Sequence, residues 1–200
     1  MDALMGRREA LERIEEIRAL MARSGEYRHL SGWAAIATAA LTGGGCFASL
    51  ALGARFTPVD DPARLAAVWG AVLAVGIVVN VAFTIALAKA RGESAWSPAA
   101  RQMVGGLLPG LLSGAILTVF LFVERRFDAL PGTWLVCYGA GLMGASLFAP
   151  WELRWAGLSF LLAGGAALFL LLAHSLLAMG ALFGGLHVLF GLYVLWRYRA

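Results

Sequence analysis

Residues 155–196 read WAGLSFLLAGGAALFLLLAHSLLAMGALFGGLHVLFGLYVLW, 42 consecutive positions without an Asp, Glu, Lys or Arg. A bilayer core takes roughly 20 apolar residues per helix, so this stretch is long enough for two crossings. His174-Ser175 and the few residues after them supply a turn between the two. Working outward, the charge-free runs 33–54, 65–88, 102–123 and 129–151 are 22, 24, 22 and 23 residues long. The expected fold is all-α, an integral membrane bundle of six transmembrane helices with spans at about 33–54, 63–89, 98–123, 132–150, 155–174 and 179–196. Short breaks make sequential neighbours antiparallel, which gives three helical hairpins.

Composition agrees. Hydrophobic residues make up 60% of the chain and charged residues 14%, and mean hydropathy is +0.78. A soluble domain carries roughly a quarter charged residues, so the apolar excess belongs to lipid-facing surface. Only 1–32 has water-soluble composition, and the transmembrane domain takes 33–200. The first 30 residues lack the apolar core of a cleavable signal peptide.

The basic residues set an orientation. With the N-terminus cytoplasmic, inside segments hold twelve Lys and Arg and outside segments hold four, namely Arg55, Arg64, Arg125 and Arg126. That asymmetry follows the positive-inside rule and puts both termini in the cytoplasm. The net charge of +4 thus reflects topology, and direct nucleic-acid binding is not expected. Trp33, Trp151, Trp155 and Trp196 fall at the inner boundaries and Trp134 at an outer one, depths that indoles favour.

Residues 2–24 have the pattern of an amphipathic cytoplasmic helix. Ile14, Ile17 and Met21 form an apolar stripe opposite Arg7, Arg8, Glu12, Arg13 and Glu16. Residues 1–32 hold six Arg and six acidic residues, a balance that disfavours simple attraction to anionic lipid. The stripe is a docking candidate for a soluble cytoplasmic regulator or a second copy of the chain, or it packs on its own bundle. Ser24-Gly25 ends this helix. Asp61-Pro62 and Ser97-Pro98 each pair an N-cap with proline at the first helical position, which starts helices two and three. Pro109 should kink the third.

Few polar groups lie within the spans. His187 shares a face with Gly180, Gly184 and Gly191, so it points into the bundle. Asn80 shares a face with Gly76 and Thr84. Intramembrane polar groups are functional candidates by default. The sharper possibility is a polar pocket of Asn80, Thr84 and His187, with His174 near the outer surface. The plainer one is a satisfied histidine and an amide joining two helices. Gly106, Gly110 and Gly114 are four apart in span three and, with the glycines of span six, suit close helix packing. Cys46 and Cys137 lie in apolar spans and read as buried thiols. No spacing suited to a metal, haem or other cofactor is present, and none is expected. Ser146 and His187 resemble the layout of rhomboid intramembrane serine proteases, but Leu147 stands where the G-x-S-G pattern needs glycine. No Asp, Glu, Lys or Arg is expected inside the bundle, which disfavours a coupled pump or an acid–base enzyme.

Several blocks carry a family likeness: Ile17-Arg18-Ala19-Leu20-Met21, Leu30-Ser31-Gly32, Trp96-Ser97, Thr133 to Ala140, and Gly184-Gly185-Leu186-His187 through Gly191. Together they resemble a family of uncharacterised six-span bacterial membrane proteins, whose genes are often paired with one for a winged-helix regulator. The resemblance implies a bacterial inner-membrane protein that acts as a non-enzymatic sensing or regulatory partner. A small-solute transporter or channel is the alternative, and an intramembrane serine hydrolase the remote one.

Overall fold

The computed structural model describes residues 13–14, 30–56 and 61–198. Among them every regular element is a helix. Six principal helices follow in order: α1 (Gly32–Ala51), α2 (Pro62–Ala90), α3 (Pro98–Val123), α4 (Leu130–Ala145), α5 (Glu152–Leu170) and α6 (Leu172–Arg197). Helices α1, α2, α3, α5 and α6 are long and apolar enough to cross a membrane. Helix α4 has 16 residues and is extended by 3₁₀ turns at Phe127–Ala129 and Ser146–Phe148. The chain is a helical bundle of membrane-protein character. Its outer surface carries exposed Leu73, Ile77 and Val78 on α2 and Ile116, Val119 and Phe120 on α3, apolar surface suited to lipid.

The helix starts follow local chemistry. The Ser31 hydroxyl accepts from the Ala34 N–H at 3.2 Å. One Asp61 carboxylate oxygen accepts from the N–H groups of Ala63 at 3.0 Å and Arg64 at 3.2 Å. The Ser97 hydroxyl accepts from the Ala100 N–H at 3.2 Å. Each satisfies donors that a helix start leaves open. Helix α3 continues through Pro109, whose side is exposed.

The boundary between the last two helices differs from expectation. Helix α5 ends at Leu170 and α6 begins at Leu172, so the reversal precedes the expected turn after His174. The Ser175 hydroxyl, buried in the first turns of α6, donates to the carbonyl oxygens of Asp128 at 2.9 Å and Leu172 at 2.5 Å. It ties the start of α6 to the connection before α4. Further along, Ala178–Gly184 is wound as a π-helix.

The packing also departs from three equal hairpins. Helix α1 packs on α2 and α3 on α4, but the main partner of α5 is α4, and α6 packs mostly on α1. Glycine explains the α3–α4–α5 layer. A β-carbon at Gly106 would lie 2.6 Å from the Gly144 carbonyl oxygen, and one at Gly139 would lie 2.5 Å from the Leu161 nitrogen. At Gly110 it would collide with the backbone of Cys137 and Gly141. Gly191 is pressed in the same way against Gly32 of α1. Gly114, Gly180 and Gly184 meet side chains at 3.2 Å or more, a looser fit than the expected glycine stripe implied. At the other end Phe56, Trp69 and Trp134 cluster with ring centroids 5.3–5.9 Å apart. The two indoles donate to Ser49 at 3.1 Å and Thr118 at 2.8 Å. Both cysteines are free thiols.

Candidate functional site

His187 is 4% exposed. Helix α6 supplies it, and Tyr138 of α4, Phe160 of α5 and Phe183 of α6 enclose its ring at centroid distances of 5.4, 4.8 and 4.5 Å. Its Nδ1 lies 2.9 Å from the Phe183 carbonyl oxygen and its Nε2 3.2 Å from the Tyr138 hydroxyl. A carbonyl oxygen only accepts, so Nδ1 carries the proton and Nε2 accepts from Tyr138. Both ring nitrogens are thereby used, in a buried aromatic enclosure.

Asn80 is elsewhere. Its amide nitrogen donates to Thr38 of α1 at 3.0 Å and to the Gly76 carbonyl at 2.9 Å. Asn80 thus meets α1, whereas the partners of His187 lie on α4, α5 and α6. The structure therefore does not assemble the pocket of Asn80, Thr84 and His187. Thr84 is half-buried on α2, and His174 is exposed thirteen residues before His187 on α6. Ser146 donates to the Met143 carbonyl oxygen at 2.6 Å, and His187 bonds other groups, so the two are not paired. Of the N-terminal stripe, Ile14 is helical and 47% exposed, and Ile17 and Met21 lie outside the described residues.

The expectation of an interior without carboxylates needs correction at Glu152. This residue opens α5 directly after Pro150-Trp151, so it falls in a packed first turn instead of a solvated break. It is 4% exposed. Its Oε1 accepts from the Tyr198 hydroxyl at 3.3 Å, which joins the start of α5 to the end of α6. Its Oε2 is buried and has no hydrogen-bond partner. The helix N-terminus favours negative charge there, but a buried acceptor without a donor still costs about 1–3 kcal/mol.

Glu152 also lines a groove of about 440 Å³ between α5 and α6. Trp151, Trp155, Ala156 and Phe160 form one wall, and Leu186, Phe190 and Tyr193 form the other. Both sets recur at helical spacing, so each is a stripe along its helix. Phe160 faces two ways, lining the groove and packing on His187. The groove exists because α5 is drawn onto α4 by glycines and α6 onto α1, so the two helices share only a thin contact.

No protein-family model matches this chain, and no curated protein or solved structure matches it. Among the described residues no group of three or more His, Cys, Asp or Glu is placed to hold a metal ion. Sequence reasoning passed over Glu152 because it read 152–154 as a break. The available signal was the apolar series Ala156 and Phe160, which continues the Glu152 face at intervals of four.

Proposed function

We propose that this chain is a six-span protein of a bacterial inner membrane, with both termini cytoplasmic and a non-enzymatic sensing or regulatory role. The sixth span would be α4. Its 16 α-helical residues and six flanking 3₁₀ residues rise about 36 Å at about 1.5 and 2.0 Å each, enough for a core of about 30 Å. The excess of Lys and Arg in the segments assigned to the cytoplasm supports the orientation.

The observation that carries the regulatory reading is the closure of His187. The histidine buried in the bundle bonds Tyr138 of α4 through Nε2 and the Phe183 carbonyl of its own helix through Nδ1, an arrangement that supports a role in joining α6 to α4. The resemblance to six-span proteins paired with winged-helix regulators points the same way. A charge-balanced amphipathic segment at 2–24 suits docking of a soluble partner. Affinity capture from membranes, with full-length protein and with residues 1–24 deleted, tests this. A soluble regulator should co-purify with the full chain and be lost on deletion. Identical co-purification by both would remove the docking role.

A specific observation favours a second reading, a small-solute carrier. Glu152 supplies the buried carboxylate that coupled carriers use, at a groove between two helices. Solute flux into proteoliposomes that falls in Glu152→Gln but not in a 1–24 deletion would favour it over the regulatory role.

A further inference from the structure

We propose that the π-wound segment Ala178–Gly184 of α6 is a register switch. It converts to α-helix, and the conversion turns the start of α6 about its axis relative to the rest of the helix. The proposal goes beyond the regulatory role and does not depend on it.

Helix α6 carries two faces that one regular helix cannot bury together. Ser175, Ala178 and Met179 are buried near its start, and His187, Gly191 and Val194 are buried after the π segment. At about 100° per residue, the second set would lie roughly 130° round the axis from the first in a continuous α-helix. A π turn closes i→i+5 instead of i→i+4, and each residue it takes up turns the register back by about 100°. The π segment therefore lets both sets face the bundle. With α winding throughout, one set would stay in the bundle and the other would turn out of it.

The anchors decide which end turns. After the π segment the helix is held on two sides, by His187 bonded to Tyr138 of α4 and by Gly191 pressed on Gly32 of α1. The His187 ring also bonds the Phe183 carbonyl oxygen, inside the π segment. The start of α6 is held more lightly. The Ser175 hydroxyl reaches the Asp128 carbonyl oxygen at 2.9 Å, and the Cys46 thiol, a weak donor, approaches the Leu176 carbonyl oxygen at 3.8 Å. Met179 packs on the aromatic cluster through an unbranched side chain that adapts to altered surroundings.

The segment also has slack that the α3–α4–α5 layer lacks. A β-carbon at Gly180 or Gly184 would meet its nearest atom at 3.4 or 3.7 Å, and one at Gly185 would meet nothing within 4 Å. At Gly106, Gly110 and Gly139 the same carbon would strike backbone. The groove beside Leu186 and Phe190 adds free volume along α6. Short π segments inside α-helices recur at functional sites, and packed interfaces change between discrete arrangements instead of deforming continuously. Loss of the Ser175 tie releases the α form.

The test uses the full chain in nanodiscs, with Cys46→Ala and Cys137→Ala as the parent and spin labels at Leu177→Cys on α6 and Val123→Cys at the end of α3. Both positions are exposed, at 62% and 73%. Pulsed electron–electron resonance should show a second, discrete distance displaced by up to about 8 Å, the chord of a 100° turn at a surface radius of about 5 Å. Ser175→Ala should raise that second population about two- to tenfold, the worth of one neutral hydrogen bond. Deletion of Ala181 removes a residue from the π segment, so α winding suits both faces and a single distance should remain. A Ser175→Ala distribution identical to the parent's would overturn the proposal, whether or not the deletion variant folds. So would a second distance that persists at the parent's level in a folded Ala181 deletion. Broadening of one distance without a discrete second would identify fraying of the helix start and would also overturn it.

Discussion

His187 and Glu152 are each 4% exposed; Glu152 lines the groove between α5 and α6, and His187 follows Leu186 of its wall and packs on Phe160. They differ in what their polar atoms meet. His187 has a partner for each nitrogen and three aromatic rings around it. Glu152 has a partner for one oxygen only, and it borders open space. Burial alone therefore does not mark a functional group. His187 has its hydrogen-bonding capacity met within the bundle, and Glu152 keeps one acceptor that no described group meets.

The comparison can be broken at three places. The largest effect is expected where both regions are anchored. Gly139→Leu would drive a side chain into the backbone of Leu161 and Gly157, lifting α5 and the shared Phe160 off α4. Overpacking against backbone should cost at least about 3 kcal/mol, seen as a large fall in melting temperature or failure to recover folded protein in detergent. A variant that melts like wild type would show that the α4–α5 approach is not what holds Phe160.

Next is the histidine. His187→Ala removes a packed ring and strands the Tyr138 hydroxyl, and the expected loss is about 3 kcal/mol. Tyr138→Phe should lose about 1–2 kcal/mol by leaving Nε2 without a donor. Thermal unfolding of the two variants ranks them. If His187→Ala is nearly neutral, the closed cage does not stabilise the bundle and the contrast with Glu152 fails.

The smallest effect belongs to the carboxylate. Exchanging a buried charge for an apolar side chain of similar volume is often neutral or stabilising, and Glu152→Met forfeits one hydrogen bond, to Tyr198. Its stability should stay within about 1 kcal/mol of wild type, read from thermal unfolding. A destabilisation above about 2 kcal/mol would mean that Glu152 is a structural group like His187.

Much of the fold was legible in the chain. Charge-free runs marked the five long apolar helices, and Asp61-Pro62 and Ser97-Pro98 marked two helix starts to the residue, because capping is decided within four residues. The inward face of His187 was legible from Gly184 and Gly191. The turn between α5 and α6 was not, because no charge, glycine or proline stands at Leu170-Leu171-Leu172. It is positioned by Ser175 bonding Asp128, 47 residues away in the chain. For Asn80 the chain offered both a pocket and a link between two helices, and its partner Thr38 on α1 became visible only in the tertiary structure.

By itself the sequence determined the apolar surroundings, the helices and about half of their ends. These follow from apolar run length and local capping, which act over a few turns of one helix. Only the tertiary structure decided which helices meet. It drew α5 to α4 and α6 to α1 through glycines whose contacts lie on other helices. That division opened the groove, enclosed His187 and left Glu152 buried with one oxygen free. A polar atom's satisfaction depends on partners distant in sequence, and local pattern carries no record of them.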